Sequence, residues 1–207
     1  HPAPRRLRRR GTLADRGVPS PSGDAIPFPF RVGFGYDSHR FDPTRPMILG
    51  GVTLPDTPGL AGHSDADAVA HAVTDALLGA SADGDIGGHF PPTDDRWKGA
   101  DSILLLETVV GRLHASGWRV GNVDVTVICE RPKVGPHAEA IRSSLARTLQ
   151  LPVSAVSPKG KTNETMGWEG RGEGVAVHAV ALIHRYPGSA PSPPASPGPG
   201  NPSSAAD

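Results

Sequence analysis

The chain has a single cysteine, no excess of charge of either sign and no long hydrophobic run among its 207 residues. Because Cys129 has no second cysteine to pair with, an intrachain disulfide is impossible and a reducing compartment is expected. Lysine and arginine together number 21, as do aspartate and glutamate, which argues against a protein that binds nucleic acid by neutralising phosphates. No apolar stretch approaches the ~20 residues of a membrane-spanning helix, so we expect a soluble protein without a membrane partner.

The two ends of the chain differ in composition from its middle. Residues 1–10 hold five arginines and no acidic residue, and residues 187–207 are mostly Pro, Ser, Gly and Ala. Neither end has apolar periodicity, so we expect a disordered extension over residues 1–29, a folded domain over residues 30–186 and a disordered tail over residues 187–207. The basic start fits a solvated tail, a transit-peptide remnant, a linker from a fused domain or a mis-called start of translation.

Residues 31–39 read Arg-Val-Gly-Phe-Gly-Tyr-Asp-Ser-His and are typical of a short strand. Successive side chains of a strand point to opposite faces, so the apolar ones share one face and Gly33, Gly35, Asp37 and His39 share the other. A carboxylate oxygen and an imidazole nitrogen that project the same way from a strand end can bind one divalent metal ion. The glycines leave room for the close approach of a backbone or a ligand.

Helical and strand patterns alternate through the middle of the chain. We expect four strands, over residues 31–37, 118–130, 153–159 and 175–183. We expect three helices, over residues 64–81, over residues 101–117 and from Pro136 onward. Ser64 and Asp67 resemble a capping box, and Gly50-Gly51 suggests a short strand pair or turn over residues 47–54. These elements indicate the α/β (α+β) class, in a single two-layer domain whose helices pack on a mixed four-stranded sheet.

His71 lies within the first expected helix. Asp67, His71 and Asp75 are spaced by four residues and therefore share one helix face. This face is either simply solvated, or His71 completes a metal site with Asp37 and His39. Three protein ligands leave a fourth tetrahedral position open for water or substrate, which is the pattern of catalytic zinc sites. In that case Asp67 or Asp75 could orient the imidazole ring.

Four further polar segments indicate phosphate chemistry. Residues 62–64 lie at the expected helix start, where free backbone amides favour anions. Residues 84–87 hold an acid that could bond a hydroxyl or a second cation, or they form an ordinary turn. Residues 159–164 combine cations, small donors and Glu164, which suits Mg²⁺ or merely caps a helix. Residues 170–174 form a glycine-rich turn with one pair of opposite charges, which fits a solvated turn as well.

Eight motifs in order resemble the 2-C-methyl-D-erythritol 2,4-cyclodiphosphate synthases of the non-mevalonate isoprenoid pathway. They span essentially the whole expected domain, and eight ordered motifs are far more specific than one. The matching segments are Gly-Phe-Gly-Tyr-Asp-Ser-His at 33–39, Leu-Gly-Gly-Val at 49–52, His-Ser-Asp-Ala-Asp at 63–67 continuing to His71, Thr-Asp-Ala-Leu-Leu-Gly at 74–79, Gly-Asp-Ile-Gly at 84–87, Lys-Gly-Ala-Asp-Ser at 98–102, Gly-Asn-Val-Asp-Val-Thr at 121–126 and Gly-Arg-Gly-Glu-Gly at 170–174.

The resemblance implies two metal sites. Asp37, His39 and His71 fall on the family's ligands of Zn²⁺, for which another divalent transition metal could substitute. Glu164 falls on the ligand of a second cation, Mg²⁺ or Mn²⁺, which binds between the two phosphates of a diphosphate.

The resemblance also implies the substrate contacts. Asp85 falls on a residue that holds methylerythritol hydroxyls, and residues near 132–133 and 160–162 fall on the cytidine pocket. His63 and Thr162 are the expected catalytic residues. The full set of implied substrate contacts is Asp37, His39, His63, Ser64, Asp85, Gly87, Asp94, Pro132, Lys133, Lys161, Thr162, Asn163, Glu164, Trp168 and Arg171. Pro92, Lys161 and Trp168 depart from the residues common in the family.

The implied assembly is a homotrimer with active sites between adjacent subunits. Arg171 and Glu173 fall near the three-fold axis, where some family members hold an isoprenoid diphosphate or another anion. The implied location is the bacterial cytoplasm, or the plastid stroma if the arginine-rich start is a transit peptide.

The implied reaction converts 4-diphosphocytidyl-2-C-methyl-D-erythritol 2-phosphate to 2-C-methyl-D-erythritol 2,4-cyclodiphosphate and releases CMP. Such an intramolecular phosphoryl transfer needs alignment and charge stabilisation rather than a side-chain nucleophile. Two alternatives stay open. A zinc-dependent phosphoester hydrolase would need a general base, for which Asp67 or Asp85 is the candidate. In a metal-stabilised trimeric binding module, His63, Asp85 and Glu164 would be dispensable.

Overall fold

The structure, a computed structural model, describes residues 29–186. The disorder expected at the ends of the chain concerns residues outside this range, apart from residue 29. The principal elements are β1 (Phe30–Leu49), β2 (Val52–Leu60), α1 (Ala68–Ser81), α2 (Ile86–His89), α3 (Ser102–Ala115), β3 (Trp118–Ile128), α4 (Ala138–Leu149), β4 (Val156–Lys161), α5 (Gly167–Gly170) and β5 (Gly174–Arg185). Short 3-10 turns occupy Asp95–Trp97, Gly135–His137 and Val153–Ala155.

The strands form one mixed sheet in the order β2-β1-β5-β3-β4. Strand β3 runs parallel to β4, which α4 connects to it, while the other neighbouring pairs are antiparallel. The expected α/β class, with helices packed on a mixed sheet, is confirmed. The expected count of four strands is wrong, because the sheet described here has five.

The additional strand exists because β1 continues far beyond Asp37. Up to Arg40 this strand pairs with β5, and from Phe41 to Leu49 it pairs with β2. The register shifts between Asp42 and Pro46, so the prolines in this stretch are accommodated at irregularities of the ladder rather than ending the strand. Two glycines with positive φ, at positions 50 and 51, form the hairpin turn, within the residues 47–54 for which a short strand pair or turn was expected.

Helix α1 begins at Ala68, four residues later than expected. Its N-cap is Asp67, whose side chain accepts hydrogen bonds from the backbone N–H groups of Val69 and Ala70. The expected capping box at Ser64 is therefore wrong, and residues 62–64 lie in the loop before α1 rather than at its start. Pro136 likewise lies in the 3-10 turn before α4 rather than at its first position.

The Asp67 carboxylate also fastens the β1–β2 hairpin to α1. It accepts hydrogen bonds from Gly50 N at 2.8 Å and Gly51 N at 2.6 Å, and its residue is fully buried. Burial raises the pKa of Asp67 above its ordinary value, while the backbone N–H donors oppose that shift.

Helix α1 rests directly on the inner face of β1, because Gly33 and Gly35 present no side chain there. A Cβ atom on Gly33 would lie 1.9 Å from the carbonyl oxygen of Ala76, and one on Gly35 would lie 1.9 Å from that of Ala72. The glycines thus accommodate a backbone rather than a ligand. This contact sets the position of α1 along β1. It places His71, the residue before Ala72, near Asp37 and His39, the next inward positions of the strand.

The hydrophobic core lies between this inner face and the helices. The expected stripes are buried, namely Val69, Val73, Leu77 and Ala80 of α1 and Ile141, Leu145 and Leu149 of α4. The outer face of β1 and β5 is apolar yet exposed, with Val32 60%, Phe34 61%, Tyr36 45% and Val180 42% accessible. Among the residues described, no helix is both long enough and apolar enough to cross a membrane.

A methyl group inserted between β1 and α1 tests this packing. We expect Gly35→Ala to lower the free energy of unfolding by roughly 3 kcal/mol, because neither backbone can move away without disrupting the core. The measurement is urea unfolding at one fixed protein concentration. The control is Gly111→Ala, on the exposed side of α3, where an added Cβ meets nothing within 4 Å. This control should be neutral or stabilising by about 0.5–1 kcal/mol, and equal effects of the two variants would contradict the account.

Candidate metal centre

Asp37, His39 and His71 converge on one point between β1 and α1. The Oδ2 atom of Asp37 lies 2.9 Å from His39 Nε2 and 2.9 Å from His71 Nδ1. The two ring nitrogens lie 3.3 Å apart, and the three atoms form a group that could hold a metal ion. The expectation that the helix supplies a third residue to the strand pair is confirmed as geometry. One carboxylate oxygen and two imidazole nitrogens suit zinc and other divalent transition metals.

The tautomer of His39 follows from its outer contact. Its Nδ1 atom lies 2.7 Å from the carbonyl oxygen of Ala61. A carbonyl oxygen only accepts hydrogen bonds, so Nδ1 carries a hydrogen, and Nε2, which lies beside Asp37, is the nitrogen left to bind a metal ion. This is the arrangement in which a metal-ligating histidine is oriented by a backbone carbonyl.

The outer nitrogen of His71 faces two hydroxyl groups. Its Nε2 atom lies 2.9 Å from Ser102 Oγ and 3.1 Å from Ser64 Oγ. Ser102 in turn donates a hydrogen bond to a carboxylate oxygen of Asp65. The sequence did not reveal Ser102 or Asp65 as partners of the histidine.

The carboxylates proposed from helix spacing as partners of His71 have other roles. Both oxygens of Asp67 accept backbone N–H groups. Asp75 Oδ1 accepts a hydrogen bond from Ile86 N at 2.8 Å, which joins α1 to the start of α2. That interpretation of the spacing is therefore wrong, because local backbone donors compete for these side chains.

The ionised carboxylate of Asp37 and the protonated imidazole rings of the cluster stabilise one another. Burial opposes ionisation of Asp37, but hydrogen bonds and positive charge from His39 and His71 outweigh it and hold the pKa of Asp37 below its ordinary range. Burial would lower the pKa of His71, but the hydrogen bond and charge of Asp37 outweigh it and raise that pKa. The cluster therefore favours bound positive charge, which either protons or a divalent cation can provide.

The loop before α1 is held in place from both sides. The guanidinium group of Arg45 donates hydrogen bonds to the carbonyl oxygens of Gly62, at 2.6 Å, and Ser64. From the opposite side Gly99 N donates to the carbonyl oxygen of His63 at 2.9 Å. The loop backbone is thus fixed while the His63 residue stays exposed. Arg45 is another positioning residue that the sequence did not reveal.

A second group of expected site residues gathers where β3 and β4 end. Pro132, Lys133, Lys161 and Thr162 line one cavity of about 250 Å³. The structure therefore brings together the residues expected for the cytidine pocket. Cys129 also lines this cavity, but burial raises the pKa of its thiol to about 11, so it remains protonated at neutral pH and is a poor nucleophile.

The loop after β4 carries the expected second-cation ligand. Thr162 Oγ1 donates a hydrogen bond to Glu164 Oε1 at 2.6 Å. Asn163 and Thr165 direct their backbone N–H groups to Glu130 Oε1, at 3.1 Å and 3.2 Å. The Glu130 side chain thus anchors the loop on both sides of Glu164, whose carboxylate stays exposed.

The residues expected to hold the sugar portion lie in a separate segment. Asp85 caps α2 by accepting a hydrogen bond from Gly88 N at 2.8 Å, and Gly87 lies within that helix. Asp94 accepts the backbone N–H of Arg96 at 3.0 Å and forms an ion pair with its guanidinium group. The structure gives Asp85 and Asp94 local capping roles and leaves both residues near the surface.

Trp168 and Arg171 lie on another side of the metal cluster. Trp168 and Glu173 line a cavity of about 350 Å³ together with Ser38, His39 and Arg40. Arg171 Nε donates a hydrogen bond to Glu173 Oε1 at 2.7 Å. Because His39 belongs to its lining, this cavity opens beside the candidate metal centre.

Comparisons with known proteins match this range of the chain. A model described as the YgbB family matches residues 30–184, which contain every candidate residue above. The 2-C-methyl-D-erythritol 2,4-cyclodiphosphate synthase of Gemmatimonas aurantiaca is 59% identical over 153 residues, covering 74% of this chain and 92% of that protein. The synthase of Xanthomonas oryzae pv. oryzae is 54% identical over 158 residues, covering 76% and 97%.

Solved structures agree with these relatives. A 2C-methyl-D-erythritol-2,4-cyclodiphosphate synthase in its CDP-bound form has a TM-score of 0.68 at 39% identity, over 74% of this chain and 99% of that chain. The bifunctional IspDF of Campylobacter jejuni has a TM-score of 0.74 at 38% identity, over 77% of this chain and 43% of that longer chain.

Removal of one ligand tests the candidate centre. We expect His71→Ala to weaken the binding of Zn²⁺ by more than ~100-fold, since loss of a ligand exceeds the 10–100-fold cost typical of an outer partner. The measurement is a competition titration against a chelator. The control is His114→Ala, which removes a histidine from a different helix, α3. It should bind Zn²⁺ as tightly as the parent protein. Unchanged affinity in His71→Ala would contradict the assignment.

Proposed function

The chain belongs to the YgbB family, and from this premise we propose how its residues carry out the reaction. The activity is that of the relatives, a 2-C-methyl-D-erythritol 2,4-cyclodiphosphate synthase, which is a lyase of isoprenoid precursor biosynthesis. The substrate is 4-diphosphocytidyl-2-C-methyl-D-erythritol 2-phosphate. An oxygen of its 2-phosphate bonds to the β-phosphorus, while the bond from that phosphorus to the bridging oxygen breaks and CMP leaves with the oxygen.

The observation that carries the proposal is the convergence of Asp37, His39 and His71 beside the Ser64 hydroxyl. These three residues would hold a divalent transition metal ion, which would supply positive charge to polarise the β-phosphate. Ser64 and the exposed His63, fixed by their loop, bind the substrate phosphates and the methylerythritol portion. His63 also stabilises the charge that develops at phosphorus.

The diphosphate and nucleotide bind at the ends of β3 and β4. Glu164 would hold a second cation, Mg²⁺ or Mn²⁺, whose charge would offset that of the diphosphate, and Thr162 donates its hydroxyl to the departing CMP phosphate. For that role Thr162 exchanges its hydrogen bond to Glu164 for one to substrate. The cytidine occupies the cavity lined by Pro132 and Lys133, where Lys161 adds positive charge near the phosphates. Asp85 binds the methylerythritol hydroxyls.

The hydrolase alternative is not favoured. It needs a general base beside the metal, and its first candidate, Asp67, is fully buried with both oxygens bound to backbone N–H groups. The other candidate, Asp85, caps α2 at the surface. The names of the relatives also describe a cyclising synthase rather than a hydrolase.

A homotrimer accounts for the apolar outer face of the sheet. Val32, Phe34, Tyr36 and Val180 are each more than two-fifths exposed on adjacent strands, and His178 packs its ring 5.7 Å from Phe34. A contiguous apolar patch of this kind favours association with another protein surface. We propose that identical subunits cover it around a three-fold axis.

The sheet order supports active sites that are shared between subunits. His39 pairs with Val175 of β5, Ala176 pairs with Ile128 of β3, and Ile128 pairs with Lys161 of β4. The metal ligands on β1 and the nucleotide cavity at β4 therefore lie at the same end of the strands. Three strand spacings, or about 14 Å, separate them. This separation supports an arrangement in which the nucleotide of one site is held by a neighbouring subunit. The relatives named above are bacterial, and we place the reaction in the bacterial cytoplasm.

Phosphorus NMR tests the reaction. With substrate, Zn²⁺ and Mg²⁺, we expect CMP and a cyclic diphosphate to appear together and in equal amounts. Thr162→Val should lower kcat by about 100-fold, because a hydroxyl donor to the transition state is lost while the shape is kept. Thr108→Val, which removes an exposed hydroxyl from α3, is the matched control. Linear hydrolysis products would instead support the alternative.

The mass in solution tests the assembly. We expect the parent protein to have three times the monomer mass by light scattering. Phe34→Glu should give monomers, because a charge placed in the proposed contact loses its hydration there. Leu104→Glu, at an apolar position 58% exposed on α3, is the control and should remain trimeric. A monomeric parent protein at working concentration would contradict shared sites.

A further inference from the structure

We infer that Ser102 and Asp65 are positioning residues that fix the tautomer of His71. The inference rests on the proposed function, because its purpose is to direct the metal-binding nitrogen of His71 toward Asp37. It also gives a role to the Lys-Gly-Ala-Asp-Ser segment at 98–102, which the proposed reaction leaves without one.

Ser102 and Asp65 are joined by two hydrogen bonds. The Ser102 hydroxyl donates to Asp65 Oδ1, and the Ser102 backbone N–H donates to Asp65 Oδ2 at 3.1 Å. Asp65 N also donates to the carbonyl oxygen of Ala100 at 3.1 Å. Ser102 is 1% exposed at the first position of α3, so its hydroxyl has a fixed place beside His71.

The direction of the chain of hydrogen bonds follows from the chemistry of its last member. An ionised carboxylate only accepts, so the single hydroxyl hydrogen of Ser102 must point to Asp65. The oxygen of Ser102 is then left as an acceptor toward His71 Nε2, which lies 2.9 Å away. Nε2 must therefore carry a hydrogen, and Nδ1 is the nitrogen that can give up its hydrogen to bind a metal ion. Without a metal ion Nδ1 donates that hydrogen to Asp37 Oδ2 at 2.9 Å, and a bound metal ion would take the place of the hydrogen.

Ser64 does not determine this direction. Its Oγ atom lies 3.1 Å from His71 Nε2 and accepts a hydrogen bond from Ala66 N at 3.2 Å. Its own hydrogen can point to His71 Nε2 or to Ser102 Oγ at 3.4 Å, so Ser64 alone allows either tautomer. Because Ser102 fixes the hydrogen on Nε2, the Ser64 hydroxyl hydrogen points to Ser102 Oγ and can turn to a phosphate oxygen of the substrate instead.

Two measurements on Ser102→Ala test the inference. The first is the proton and nitrogen NMR of His71 in the zinc-loaded protein, where an Nε2 hydrogen bound to Ser102 exchanges slowly with solvent. We expect a slowly exchanging Nε2–H in the parent protein and a rapidly exchanging one in the variant. The second is Zn²⁺ affinity by chelator competition, which should fall about 10–100-fold. The matched control is Ser81→Ala, which removes a hydroxyl bonded to carbonyls at the far end of α1.

Asp65→Asn provides a second variant if Ser102→Ala folds poorly. An amide can donate as well as accept, so it no longer enforces the direction of the Ser102 hydroxyl, and rapid exchange of the Nε2 hydrogen is again expected. A slowly exchanging Nε2–H in both folded variants, with affinity unchanged, would overturn the inference and leave the proposed function standing. A parent protein that binds no zinc would instead overturn the proposed metal site itself.

Discussion

The contact between the backbones of β1 and α1 is the constraint on which the site depends. Gly33 and Gly35 are the inward positions of β1 that precede Asp37, and carbonyl oxygens of α1 occupy the volume that their side chains would fill. With the helix held in this position along the strand, its first turn, which carries His71, lies beside the inward-pointing Asp37 and His39. A bulkier strand would hold the helix away and separate His71 from its partners. Packing, rather than any bond within the cluster, therefore assembles the candidate metal centre.

A layer of polar contacts fixes this assembly at its edges. Asp67 joins the helix start to the β1–β2 turn, Arg45 holds the loop that carries His63, and Glu130 anchors the loop that carries Glu164. Each of these side chains binds backbone groups. The loops that carry residues proposed to meet substrate therefore have backbones that are already hydrogen-bonded, so binding of a ligand does not require these loops to be reorganised.

Much of the ligand set could be predicted from the sequence by two local rules. Side chains two residues apart share a face of a strand, and side chains four residues apart share a face of a helix. They paired Asp37 with His39 and aligned His71 on one helix face. The same rules misassigned Asp67, since a backbone that needs a cap competes for a carboxylate more strongly than a neighbouring ring does. They could not find Ser102, which lies 31 positions after His71 and meets it only through tertiary folding. The expected short strand pair or turn over residues 47–54 underestimated the β1–β2 hairpin, because the prolines of β1 lie at irregularities of its ladder.

Diffraction from crystals of the zinc-loaded protein, recorded on both sides of the zinc absorption edge, tests the central claim most directly. The account predicts one anomalous peak between β1 and α1, bonded at about 2.0–2.2 Å to an Asp37 oxygen, His39 Nε2 and His71 Nδ1, with a fourth position open to water or phosphate. A peak elsewhere, or a zinc ion bound through the opposite nitrogen of either histidine, would contradict it.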